Sequence, residues 1–223
     1  MRAAFIIIYD SNGRSLRKLN PVVFRRALGP GDAYRLEVTI PAPTLDATLS
    51  ELRARFPRLR VIHKRDDGFS RLLDVLVRVV TFGGNSAYMS RYVTTLGQSI
   101  YLPAGWEARG ELERVIVLRH EAVHLEQFRR YGKLGMALLY LVPVCPIGLA
   151  IGRARLEWEA YAETFRATAE ILGLEAARDP ALREHVLTQF VGPAYGYMWP
   201  FRRQVGRWID AELERLAQSA PGG

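Results

Sequence analysis

The stretch Val115-Ile116-Val117-Leu118-Arg119-His120-Glu121-Ala122-Val123-His124-Leu125 decides how the rest of the chain is read. Leu112, Val115, Leu118 and Val123 recur at helical spacing, and the pattern predicts a helix from Glu111 to about Arg130. On such a helix His120 and His124 lie on one face, one turn apart, so their imidazoles can converge on one cation. Glu121 stands beside the first imidazole, where its carboxylate reaches a water held by that cation. A zinc ion in this position lowers the pKa of water and polarises a carbonyl. Glu121 then serves as general base, taking the water's proton and passing it to a leaving amine. The residues between the histidines are uncharged and Leu125 is apolar, which suits burial around the polar face. Two buried imidazoles without a partner there would be costly.

A hydrolytic zinc site needs a third protein ligand and one open position. Only His63 and His185 remain among the four histidines, whereas carboxylates are plentiful in Arg153-Ala154-Arg155-Leu156-Glu157-Trp158-Glu159-Ala160-Tyr161-Ala162-Glu163. Glu157 and Tyr161 share a helical face and Glu159 points elsewhere, so one of Glu157 and Glu159 is the ligand, not both.

Working outward, the apolar run within residues 1–10 reads as a buried strand, followed by the turn Ser11-Asn12-Gly13. A second strand fits 34–40. Thr44 or Asp46 caps a helix through Arg55 with Leu49, Leu52 and Phe56 on one face. A short strand is expected at 59–63 and a helical stripe from Leu72 to Val80, broken by Phe82-Gly83-Gly84-Asn85. Residues 92–95 and 99–102, joined around Gly97, form a β-hairpin. Residues 134–152 hold no charged side chain over 19 positions, close to a membrane span. Pro143, Pro146, Gly148 and Gly152 interrupt that run, which favours a buried helix and loop over a span. Further helices are expected at 153–172, from Pro180 to about Phe190, and from Pro200 to Leu216. The fold class is α+β: a small N-terminal mixed sheet with a hairpin edge, then a mainly helical half.

His120-Glu121-Ala122-Val123-His124 followed by Glu157-Trp158-Glu159-Ala160 resembles the zincin metallopeptidases of the gluzincin branch, and more distantly the CaaX prenyl protease type. The resemblance implies a zinc peptidase in which His120, His124 and Glu157 hold the metal and Glu121 is the base, with Glu159 as the alternative third ligand. Ala160 then matches the family's alanine, and Tyr161 stands where the family has an aspartate, leaving only a hydroxyl to support a ligand. The hairpin resembles the zincin edge strand that pairs with extended substrate. The resemblance covers roughly Val115 to Glu163; the chain length suits one domain, read as zincin-like over 1–218, and the composition of 219–223 suits a disordered tail.

Weaker claims attach to Gln127, close to the face of His124, to His185 as an oxyanion donor, and to Tyr195 and Tyr197 in a glycine-rich loop. Cys145 reads as an inert buried thiol, and Trp199, Phe201 and Trp208 as core. The 223 residues are 49% hydrophobic and 24% charged, which suits an ordinary globular domain. One cysteine excludes an intramolecular disulfide, and no feature of the sequence argues for export, so the expected compartment is the cytoplasm. The net charge of +8 suits a solvated basic surface or attraction to an anionic partner such as lipid headgroups. Nucleic acid is the weakest of these partners, because no binding-module pattern is present. The expected substrate is a peptide or protein. Two other readings stand beside the peptidase: a metal-bound structural or interaction module, and a membrane-embedded protease that uses 134–152.

Overall fold

The computed structural model describes residues 7–9, 15–18, 42–68, 92–141, 150–192 and 198–219. The architecture is α+β. β1 (Ile7–Tyr9) and β2 (Ser15–Lys18) form a two-stranded antiparallel pair; the turn expected at Ser11-Asn12-Gly13 lies outside the described residues. A three-stranded mixed sheet has β5 (Ser99–Leu102) in its centre, parallel to β3 (Arg60–His63) and antiparallel to β4 (Thr94–Leu96). Six helices are described: α1 (Leu45–Arg55), α2 (Glu111–Leu141), α3 (Ile151–Leu172), the one-turn α4 (Leu174–Ala177), α5 (Pro180–Val191) and α6 (Arg202–Ser219). The strand expected at 34–40, the helical stripe from 72 to 80, Cys145, Tyr195 and Tyr197 lie outside the described residues.

The β4–β5 hairpin turns on Gly97-Gln98. Gly97 takes φ 64°, the positive φ that primed two-residue hairpin turns need at their first position. Ile100 and Leu102 alternate into a core with Leu52 and Phe56 of α1, Trp106, and Leu118, Ala122 and Leu125 of α2. Of the two expected caps for α1, Thr44 takes the role: its hydroxyl accepts from the Ala47 amide at 3.2 Å. The Leu45 amide donates to Glu111 Oε1 at 3.0 Å and ties the start of α1 to the start of α2.

The second core lies among the later helices. Ala154, Tyr161 and Phe165 of α3 pack with Leu182, Val186, Leu187 and Phe190 of α5, with Met198, and with Val205 and Ile209 of α6. Asp179 caps α5, accepting from the Ala181 amide at 2.7 Å, with Pro180 in the first turn. Trp199 and Trp208 pack on this core as expected. Phe201 does not: it is 52% exposed and touches only the rim through the Trp199 ring.

α2 extends well past Arg130. It stays helical to Leu141 on either side of Gly132, which breaks the regular backbone with φ 65° and ψ 176°. Of the buried helix and loop expected at 134–152, residues 142–149 lie outside the described residues, and the described helical part is only partly buried. Met136 is buried, but Leu134, Leu138 and Ile151 are exposed, because the arm beyond the kink leaves the sheet and packs along α3. Among the described residues no helix is long and apolar enough to cross a membrane.

Candidate metal centre

α2 lies between the two cores. Its Leu118, Ala122 and Leu125 face the sheet, and its His120, His124 and Gln127 face α3. Ion pairs clamp the α2–α3 seam. Arg119 reaches Glu163 at 2.5 Å and also pairs with Glu170.

The hydrogen bonds fix which nitrogen of each imidazole is free. Thr164 donates its hydroxyl to the Ala160 carbonyl at 3.3 Å, so toward His120 Nδ1, 3.0 Å away, it is the acceptor. Gln127 is fully buried, and its Nε2 donates to the Leu156 carbonyl at 2.9 Å and to Glu159 Oε2 at 3.0 Å. Its Oε1 therefore accepts from His124 Nδ1 at 2.9 Å. Both rings carry their proton on Nδ1 and keep the Nε2 lone pair for a cation, the arrangement in which an outer hydrogen bond orients a histidine ligand.

Glu157 faces those lone pairs. Its Oε2 lies 3.9 Å from His124 Nε2, and ligand atoms of His120, His124 and Glu157 all fall within 4.8 Å of one another. Ligand atoms around a tetrahedral zinc sit roughly 3.3 Å apart, from zinc–ligand distances near 2 Å. A small inward movement closes the set, so the donor types and spacing fit a zinc ion. Glu159 points away, held by Gln127 and by Arg130 and Arg155 at 3.6 and 3.8 Å. Of the two glutamates left open by spacing, Glu157 is the one grouped with the histidines.

Glu157 is only 3% exposed, and its other oxygen accepts from the Tyr140 hydroxyl at 2.5 Å. Tyr140 comes from the arm of α2 beyond Gly132. Burial first, and then the Glu157 charge, raises its pKa, so it stays protonated and donates. Glu121 lies on the sheet side of the histidines, where Thr95 Oγ1 of β4 donates to its Oε2 at 2.7 Å. Burial raises the Glu121 pKa, which strengthens it as a base; His124, the Thr95 hydrogen bond and Lys64 oppose the shift. Lys64 is fully buried and donates to the Tyr92 carbonyl at 2.7 Å and to Thr94 Oγ1 at 3.0 Å.

Burial, with the neighbouring His124 and His185, holds the His120 pKa well below that of free imidazole, so its ring is neutral. At His124 burial acts in the same direction but is outweighed by the Glu157 and Glu121 carboxylates, and the net shift is upward. Such crowding of acceptors around one ring suits a site for a cation. Tyr161 packs edge-on against His120 with centroids 4.8 Å apart, and burial raises its pKa well above the ordinary value. His185 on α5 is near enough for its charge to act on His120.

Gln127 and Tyr161 thus touch the two histidines, His185 acts on His120 only through its electrostatic influence, and Tyr195 and Tyr197 lie outside the described residues. Sequence reasoning missed Tyr140, Thr164, Thr95 and Lys64. A signal existed for Thr164, which follows Glu157 and Tyr161 at the i, i+4, i+7 spacing of one helical face. Tyr140 was legible only as the one hydroxyl in an uncharged run. Set against protein-family models, curated proteins and solved structures, the chain matches none of them.

Proposed function

We propose that the chain is a zinc-dependent hydrolase of a peptide or amide bond, of the gluzincin type, in which His120, His124 and Glu157 hold the metal and Glu121 is the general base. The observation that carries this reading is the convergence of two imidazoles and one buried carboxylate, with a second carboxylate alongside. Bound there, zinc would supply an acidified water and polarisation of the scissile carbonyl.

The chain's own residues account for the remaining steps. Thr95 holds one oxygen of Glu121 at 2.7 Å, and the other oxygen takes the proton of the attacking water. Glu121 then delivers that proton to the leaving amine. Tyr161, kept protonated by burial and packed on His120, and His185, whose pKa burial lowers, are assigned to the developing oxyanion. β4 is an edge of the three-stranded sheet and presents its backbone to an extended substrate. The reading carries a cytoplasmic location, supported by the single cysteine, which leaves no intramolecular disulfide for an oxidising compartment to form.

The test is Glu121→Gln, with bound metal measured by elemental analysis and hydrolysis assayed on a broad peptide library. Retained zinc with activity down by at least about a thousandfold is expected, the loss of general-base catalysis together with water positioning. Retained zinc with full activity sinks the mechanism. Zinc-loaded parent protein that cleaves no peptide turns the reading toward a structural metal module.

A further inference from the structure

We infer that the arm of α2 beyond Gly132, together with the first turn of α3, docks on the headgroup region of an anionic lipid bilayer. Leu134 is 74% exposed, Leu138 55% and Ile151 47%. Leu134, Ala137 and Leu138 fall at i, i+3 and i+4, so they form one stripe, and all three are exposed. Ile151 belongs to the same surface. A Cβ built on Gly152 would come within 2.5 Å of the Leu139 carbonyl oxygen, so the first turn of α3 lies directly against the arm. Scattered single leucines on a surface carry no message, but a contiguous aliphatic stripe with a polar rim marks a docking face.

The rim identifies the occupant. Arg130 and Arg155 both approach Glu159, one from the body of α2 and one from α3, and both are largely exposed. Arg155 lies one turn after Ile151 on the same face of α3. Exposed Lys133 and Arg129 extend the belt. A second copy of this chain would bring two cationic belts face to face, in a protein that already carries +8. An anionic bilayer meets both features together: aliphatic side chains enter the acyl boundary while arginine and lysine stay at the phosphates. No described helix is long and apolar enough to cross a membrane, which suits attachment at the interface. The inference rests on the exposed aliphatic stripe and its basic rim and is independent of the metal reading.

The test is sedimentation of the full chain with vesicles of phosphatidylcholine alone or doped with phosphatidylglycerol, at low and high salt. Partitioning is expected on the doped vesicles, weakened by salt, with little on phosphatidylcholine. In Leu134→Glu/Leu138→Glu it falls by at least about a hundredfold, from the loss of two inserted side chains and the gain of two repelled charges. Lys133→Gln weakens it about fivefold. The leucines are exposed, so the double variant keeps its melting temperature, which separates lost docking from lost folding. No partitioning of the parent on doped vesicles at low salt overturns the inference, as does partitioning that the double variant leaves unchanged. A parent dimer that the double variant splits, without vesicle binding, assigns the face to a second copy and overturns it as well.

Discussion

The two halves of α2, either side of Gly132, obey opposite rules. Before the kink the helix is enclosed by the sheet on one side and α3 on the other. Its Val115, Leu118, Ala122 and Leu125 are buried, and so are its Glu121, His124 and Gln127. Beyond the kink the helix has α3 for a neighbour but has left the sheet, and Leu134 and Leu138 are in solvent while Met136 and the Tyr140 hydroxyl turn inward. Apolar content alone would have ranked the second half as the better buried. The comparison teaches that enclosure on two sides decides burial here. The half that has it holds Glu121, His124 and Gln127 dry, whereas beyond the kink the Tyr140 hydroxyl is held by turning toward α3.

The largest expected effect pits the halves against each other directly. Leu118 is fully buried in the sheet-side core, and Leu118→Ala should cost about 2–5 kcal/mol through lost contacts and a cavity. The same truncation at Leu134, 74% exposed, should change stability by no more than about 0.5 kcal/mol. Urea denaturation of both variants under one set of conditions measures the difference. Equal losses would mean that the arm is enclosed after all, and the contrast between the halves would fall.

A smaller effect is expected at the hinge. Gly132 combines φ 65° with ψ 176°, a region open almost only to glycine. A Cβ there would meet nothing within 4 Å, so the strain in Gly132→Ala is confined to the backbone. The expected loss is about 1–3 kcal/mol, read from the urea midpoint. A variant as stable as the parent would show that the helix runs on through residue 132 without strain.

What the sequence made legible follows the same division. In the enclosed half, spacing alone placed His120, Glu121 and His124, because a regular helix converts positions four apart into neighbours. The hairpin was legible from Gly97 and its β-rich flanks, and the α+β class from strands early and helices late. The choice between Glu157 and Glu159 was not settled by helical periodicity. It depends on the angle at which α3 crosses α2, and Gln127 registers that angle by bonding Leu156 and Glu159 while bracing His124. Thr95 and Lys64 reach the centre through sheet pairing across long sequence separations, which no local pattern encodes. The arm was misjudged for a related reason. Periodicity reports which side chains share a face, and not whether a second layer will arrive to cover it.

Tyr140 is where the two halves meet, and it carries the smallest of these effects. Its hydroxyl donates to Glu157 Oε1 at 2.5 Å, leaving Oε2 to face His124. The Arg153 guanidinium lies over its ring at 4.7 Å, so the ring stays packed when the hydroxyl is removed. Tyr140→Phe therefore deletes the hydroxyl that donates to Glu157, with little change of shape. The carboxylate remains, but it loses the donor that orients it. Zinc affinity should fall about tenfold, at the low end for partners that orient a ligand, measured by competition with a chromophoric chelator. The fold should be retained, because no cavity opens. If affinity is unchanged, the arm contributes nothing to the metal centre. If affinity falls equally in Gly132→Ala, the kink is what delivers Tyr140 to Glu157, and the two halves of α2 act as one device.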